Sequence, residues 1–424
     1  MSALADRLAP WRFVAAYLRT RWLARRLRTR DDVMAWQSGR LASWQRRVLA
    51  RVPFYRERAK GPFESLPVTD KAMVMADFAA FNGAGVSAAA GWTAFTGSGR
   101  VGRYIVGAST GTSGNRGLFV ISEAERWEWL GVIVAKTLGR LARARVALIL
   151  PLNTRLYEAA GRSGLIALRF FDLNRGLADI AGEVAAFGPD TVIAPPRVLR
   201  YLVEAGVAIR PRRVFSGAEV LDPLDREVIE TGFGVTVREI YMATEGLLGV
   251  ACARGTLHLC EDVVKFEFEP VADSDLVVPI ITDFTRSTQA MARYRMNDLL
   301  RLAASPCACG SPLRAVAAIE GRRDDAMTLC GPGGEVVVTP DVLRNAVVDA
   351  DRRIDDFRLV QTGPKQIELT LRDALPEEAA AAAAAALARL FARLGVTAEL
   401  RLSRVSGFTV SARKLRRVER RVQG

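Results

Sequence analysis

The run Ser109-Thr110-Gly111-Thr112-Ser113-Gly114-Asn115-Arg116-Gly117 interleaves hydroxyls with glycines between two β-type segments, RYIVGAS and LFVIS. Glycine allows close backbone approach and positive φ, so amides and hydroxyls in such a loop can surround phosphate oxygens. A plain hairpin loop has the same composition. No Gly-Lys-Ser/Thr closes the run, which excludes a Walker A loop. Tyr241-Met242-Ala243-Thr244-Glu245-Gly246 follows the strand-like VTVREI. A hydroxyl and a carboxylate at the C-terminal end of a strand can hold a phosphate and its Mg²⁺, because ligands of open α/β sheets gather at that edge. An ordinary strand exit reads the same way. In Arg293-Tyr294-Arg295-Met296-Asn297-Asp298 the carboxylate can accept from ribose hydroxyls, and the arginines can be structural ion-pair partners.

Cys252, His258, Cys307 and Cys309 form C-x5-H and C-x-C pairs, and thiolates with an imidazole in a set of four suit a structural tetrahedral Zn²⁺. Cys309-Gly310 resembles a zinc-knuckle turn. The alternative is buried free thiols beside a hydrogen-bonded loop histidine. Cys260 can replace one ligand, while Cys330 reads as a core or hinge thiol. Five cysteines in 424 residues are too few and scattered for a disulfide framework. The single histidine, His258, excludes most His-dependent catalysis unless that residue is the base.

The elements that must position these residues follow from periodicity. Between about 100 and 300, β-rich runs (RVALILPL, DTVIAPP, RRVFSGAE, VTVREIYMA, DLVVPIITDF) alternate with helical stretches, which predicts an α/β body with a largely parallel sheet. Past about 325, FRLVQTG and QIELTLRD read as paired strands, Pro376 to Leu394 as a helix, and TAELRLSRV as a strand, so a small α+β domain is expected there. The alanine run 379–386 reads as helix surface. The division is an N-terminal domain of residues 1–323 and a C-terminal lid of residues 324–424. Residues 1–60 predict a basic helical arm: Trp11, Val14, Ala15, Leu18 and Trp22 recur at helical spacing with arginines on the other face, and a second helix runs from Asp32 through Val52.

Half the residues are apolar and a quarter charged, as in a globular protein. No apolar run reaches the roughly 18 residues of a membrane span and the N-terminus lacks a signal-peptide core, so a cytoplasmic location is expected. The net charge of +14 is concentrated at the ends. Residues 1–60 hold 15 basic and 4 acidic side chains, and residues 401–424 hold 8 and 1. Such ends can attract a polyanion, a membrane surface or ligand phosphates, or merely solvate two helices. They carry no zinc-finger or RNP-like pattern, so no specific nucleic-acid partner is expected.

With Ser216-Gly217-Ala218-Glu219, Gly321-Arg322-Arg323-Asp324-Asp325 and Ser411-Ala412-Arg413-Lys414, these segments in their order resemble the adenylate-forming (AMP-producing) ligase superfamily, most of all its phenylacetate-coenzyme A ligase-like branch. The likeness extends from Pro53-Phe54-Tyr55-Arg56-Glu57-Arg58 and Leu66-Pro67-Val68-Thr69-Asp70-Lys71 to the C-terminus. It implies a large α/β body with a small mobile C-terminal α+β domain. Residues 109 to 117 would lie over the ATP phosphates, Ser216 to Glu219 along the adenine, and Tyr241 near the base. Thr244 would contact phosphate, Glu245 would hold Mg²⁺, Asp298 would take the ribose hydroxyls and Arg322 would sit near the nucleotide. Asp324 would be the hinge, and Lys414 the lysine that activates the carboxylate. A similar Cys/His cluster occurs in some members of the branch.

The activity so implied is conversion of a carboxylic acid, aromatic or medium-sized and apolar, to an acyl-adenylate with release of pyrophosphate, then transfer to a thiol such as coenzyme A. A homodimer is admitted. Departures from the pattern are Asn115-Arg116 for Lys-Pro, Met296-Asn297 for Thr-Gly, and the stretch Thr328 to Glu335 near the acceptor. They leave open a carrier protein or a non-thiol acceptor. A degenerate binding protein on the same fold is the other rival.

Overall fold

The computed structural model describes residues 9–109, 116–140, 142–151, 166–408 and 416–422. Its frame is a sheet of twelve strands among these residues. The strands β1 (Arg100–Val101), β2 (Tyr104–Ala108) and β3 (Leu118–Ile121) form a separate antiparallel sheet. The large sheet takes β4 (Ala144–Leu150), β5 (Ile166–Asp172), β6 (Thr191–Ala194), β7 (Arg213–Gly217), β8 (Val237–Ala243), β9 (Gly246–Ala251), β10 (Leu257–Leu259), β11 (Val264–Pro270), β12 (Leu276–Asp283), β13 (Tyr294–Arg295), β14 (Asp298–Leu302) and β15 (Ala315–Arg322). Its order is β11-β12-β14-β15-β10-β9-β8-β7-β6-β4-β5, with β13 on β12.

The expected parallel arrangement holds only for β4 to β8. Every pairing from β8–β9 to β11–β12 is antiparallel. The strand β12 misleads because its run LVVPIITD is almost wholly buried, and continuous burial looks like a central parallel strand.

Residues from Met327 onward build a core of their own, including Leu343, Phe357, Leu369, Leu387 and Phe391. There β16 (Met327–Gly331) and β17 (Gly334–Val338) form a hairpin. The strands β18 (Phe357–Gln361), β19 (Gln366–Arg372), β20 (Glu399–Val405) and β21 (Val418–Arg420) form a four-stranded sheet covered by helix Glu377–Arg393. Ala379, Ala380 and Ala383 are fully buried in that helix, so the alanine run is partly core rather than surface. Cys330 is exposed on β16, not in a core.

Helices Ala9–Arg26 and Arg30–Arg47 form the N-terminal arm, the second capped by a reciprocal Thr29–Asp32 box and ending before the predicted Val52. The first packs the face opposite to the one expected. Ala16, Tyr17 and Thr20 are buried on the side that meets helix Glu123–Thr137 and Leu23 packs with Leu27 and Val33, while Trp11, Val14, Leu18 and Trp22 are exposed. Small residues decide this. A Cβ on Gly131 would stand 2.4 Å from Phe13 O and 2.9 Å from the Ala16 Cβ, so the helices meet at their smallest side chains. Among the described residues no helix is long and apolar enough to cross a membrane.

Candidate functional site

The C-terminal ends of β7 and β8 open onto a cavity of about 960 Å³. Leu130, Ile133 and Val134 of helix Glu123–Thr137, with Val146, Leu148 and Ile193 of the parallel strands, give it an apolar lining. Ser216 and Gly217 end β7, Ala218 and Glu219 follow it, and all four line the cavity. Ser216 is 1% exposed, and its Oγ has no hydrogen-bond partner among the described residues. An unmet buried hydroxyl costs about 1–3 kcal/mol, so a polar ligand atom in the cavity would be favoured there. Ala218 has φ of +67°, a left-handed conformation uncommon outside glycine that bends the segment around the rim. Glu219 pairs with Arg197 at 3.0 Å.

At the end of β8 the Tyr241 hydroxyl donates to Asp298 Oδ2 at 2.7 Å. Burial, with Asp298 beside it, holds the Tyr241 phenol well above its ordinary pKa, so it remains a donor. Asp298 begins β14 and lies directly across the ladder from Arg322 at the end of β15. Thr244 donates from Oγ1 to Glu245 Oε2 at 2.7 Å, and Tyr294 donates from its hydroxyl to Oε1 at 3.0 Å. Each carboxylate oxygen of Glu245 thus accepts one neutral donor and retains lone-pair capacity for a hard cation. Gly246 has φ of +152°, and a Cβ there would come within 2.7 Å of Asp283 Oδ2; glycine is what lets the chain turn directly after the carboxylate.

No family model matches this sequence, and no curated protein sequence does. Solved structures match over nearly the whole chain. It is similar to a 2-hydroxyisobutyryl-CoA ligase in the postadenylation state with R3-HIB-AMP, at 18% identity and a TM-score of 0.67, covering 93% of this chain and 90% of that one. The open conformation of such a ligase, in complex with 2-HIB-AMP and CoA, matches at 18% identity and a TM-score of 0.59, covering 91% of each chain. The chain has the adenylate-forming ligase fold. A benzoate CoA ligase from Burkholderia xenovorans LB400 matches at 15% identity and a TM-score of 0.51, covering 70% of this chain and 64% of that one.

On this ligase fold the residues singled out from sequence converge: Ser109, Ser216, Gly217, Ala218, Glu219, Tyr241, Thr244, Glu245, Asp298 and Arg322 all line the cavity. Ser109 closes the base of its loop, accepting from Gly117 N at its Oγ over 2.8 Å. Thr110, Gly111, Thr112, Ser113, Gly114 and Lys414 lie outside the described residues.

Four contributors escaped the sequence reading. Tyr294 holds Glu245, and Lys71 lines the cavity from the start of helix Lys71–Ala76. Asn297 donates to Asp324 Oδ2 at 2.6 Å, where the segment leaves β15. Glu125 accepts from Ser287 N and Thr288 N at 2.6 and 2.8 Å, fastening the helical wall to the loop that carries Arg286. Its capping box with Ser122 was legible as S-x-x-E; the second role needs tertiary structure.

Away from the cleft, Cys252, His258, Cys307 and Cys309 place their ligand atoms within 4.8 Å of one another. Cys252 Sγ and Cys307 Sγ are 4.0 Å apart, and Cys309 Sγ and His258 Nε2 are 3.3 Å apart. Ligands about 2.0–2.3 Å from a tetrahedral zinc would be separated by about 3.3–3.8 Å, close to these spacings. His258 Nδ1 faces Leu313 O at 2.9 Å, which leaves Nε2 for the cluster. Gly310, with φ of +76°, donates to Cys307 O at 3.1 Å and makes the turn after the C-x-C pair. Cys260 is not in the set. It is 1% exposed, and burial pushes its thiol up to about 12.

Proposed function

We propose that this chain is an AMP-forming carboxylic acid ligase. The observation that carries this reading is the convergence of Ser216, Tyr241, Thr244, Glu245, Asp298 and Arg322, drawn from four strand ends, around one cavity with an apolar inner wall. An apolar wall of this kind favours an aromatic or medium-sized apolar acid. Asp298, oriented by Tyr241, would accept from ribose hydroxyls. Ser216 would meet a polar group of the base, and Thr244 a phosphate oxygen. Glu245, steadied by Thr244 and Tyr294, would hold Mg²⁺. When bound, that ion offsets the charge that gathers as two anions meet.

In the first half-reaction a carboxylate oxygen bonds to the α-phosphorus of ATP as the bond to pyrophosphate breaks. Lys414 is assigned the charge-offsetting contact to both anions. Residues 324–424 form the lid that delivers it, with Asp324 at the hinge. In the second half-reaction a thiol, assigned to coenzyme A, takes the acyl group and AMP leaves. The C-x5-H and C-x-C cluster is assigned a structural Zn²⁺, since four protein donors leave no open coordination position. ATP–pyrophosphate exchange over a panel of carboxylic acids tests the proposal: acid-dependent exchange supports it, and none with any acid sinks it.

A further inference from the structure

The exposed stripe on helix Ala9–Arg26 is an apolar feature that the cleft does not use. Trp11 is 69% exposed, Leu18 58%, Trp22 53% and Val14 41%, and Met34 of the next helix is 50% exposed. At roughly 100° per residue these four helix positions and Ala15 fall within an arc of about 100°. Arg12 and Arg26 border one side of the arc and Arg21 the other, while Arg25 falls inside it in the last turn, beyond Trp22. The helix contains no acidic residue. Its inward face is clamped by the Gly131 approach, by Tyr17 donating to Gly139 O at 2.7 Å, and by an Arg19–Glu128 ion pair at 2.6 Å. The body therefore presents the stripe outward and holds it there.

We propose that this face docks the protein on an anionic lipid surface. Tryptophan and leucine along the centre of a helix, with arginines at both margins, is the arrangement that lies in a membrane interface: the apolar centre enters the acyl boundary and the guanidiniums meet lipid phosphates. The sign of the surrounding charge agrees, with 15 basic against 4 acidic residues in positions 1–60. A second copy is a poorer occupant, because pairing the stripe with itself brings two rows of arginines together. A nucleic acid would use the arginines and leave the tryptophans idle. Attachment of this kind is independent of the chemistry in the cleft.

Co-sedimentation of the full chain with vesicles tests the proposal, using phosphatidylcholine alone or mixed with phosphatidylglycerol. Binding to the mixed vesicles is expected to be at least about tenfold tighter than to the neutral ones. The double variant Trp11→Ser/Leu18→Ser, at two mostly exposed positions, is expected to weaken it by about tenfold or more. Brominated acyl chains should quench tryptophan fluorescence of the unaltered protein, a readout that needs no variant. Absence of sedimentation with anionic vesicles, absence of quenching, or unchanged binding by the double variant would each overturn the proposal. So would competition by polyuridylate that the double variant leaves intact, or a dimer that the variant dissociates while vesicle binding persists.

Discussion

Tyr241 donates its hydroxyl to Asp298 Oδ2 at 2.7 Å, joining the end of the last parallel strand to the first residue of β14 in the antiparallel half of the sheet. Both groups line the cavity, so the bond fixes the direction in which Asp298 presents its carboxylate. Tyr241→Phe is expected to raise the KM for ATP by about ten- to 100-fold, the worth of a hydrogen bond to a charged group converted at about 1.4 kcal/mol per tenfold. Steady-state kinetics at varied ATP check this; an unchanged KM would mean that Asp298 needs no orienting partner.

Glu245→Gln keeps the shape between Thr244 and Tyr294 and removes the charge. It is expected to slow pyrophosphate exchange by about 100-fold or more while shifting the melting temperature by only a few degrees. Exchange at the parent rate would show that another group holds Mg²⁺.

Zinc is expected to copurify at about one ion per chain, and Cys307→Ser to lower both metal content and thermal stability. The position of the cluster explains why stability should fall. Cys307 and Cys309 lie in the turn between β14 and β15, a ladder with two register shifts, and the opposite end of that ladder pairs Asp298 with Arg322. Elemental analysis of protein prepared without chelators decides the matter.

Arg417 contacts Asp225 at 2.8 and 2.9 Å and Asp356 at 3.1 Å, while Arg200 reaches Asp225 and Asp355, both at 3.2 Å. In this conformation these contacts join Arg417, just before β21, to Asp225 of helix Pro223–Phe233. Burial raises the Asp225 carboxyl, and the Arg417 and Arg200 guanidiniums more than offset this, leaving it below the ordinary value. Its stabilisation is therefore present above the unfolded pKa of about 3.9 and lost as pH falls through the lower folded value. Asp225→Asn is expected to cost about 3 kcal/mol or more near pH 7 and to flatten the acid limb of stability against pH. Urea midpoints from about pH 7 to about pH 2 measure both effects; parallel curves for parent and variant would assign the acid limb to other carboxylates.

Much of the candidate site was legible because its residues sit in short ordered segments at strand ends. Ser216, Thr244, Glu245 and Asp298 are each fixed locally by the strand that precedes or follows them. Spacing gives Tyr294 and Asn297 no role although they stand in the same hexapeptide as Asp298, because their partners Glu245 and Asp324 are set by strand pairing. The arm helix shows the same limit. It has two apolar faces, and the larger side chains drew attention to the wrong one. The buried face is chosen by Ala16 fitting Gly131, a steric match between segments more than 100 residues apart. Antiparallel pairing beyond β8 was hidden for a related reason, since full burial of β9 and β12 erases the alternation that separates the two sheet types.

Acid-dependent ATP–pyrophosphate exchange by the parent and by Lys414→Ala is the most direct test of acid activation. The account predicts exchange with at least one apolar carboxylic acid, reduced about 100- to 1,000-fold in Lys414→Ala, as for loss of one electrostatic contact to a transition state. Thioester formation from a supplied acyl-adenylate should be affected much less. No exchange with any acid in magnesium-replete, folded protein, or exchange that Lys414→Ala leaves untouched, would contradict it.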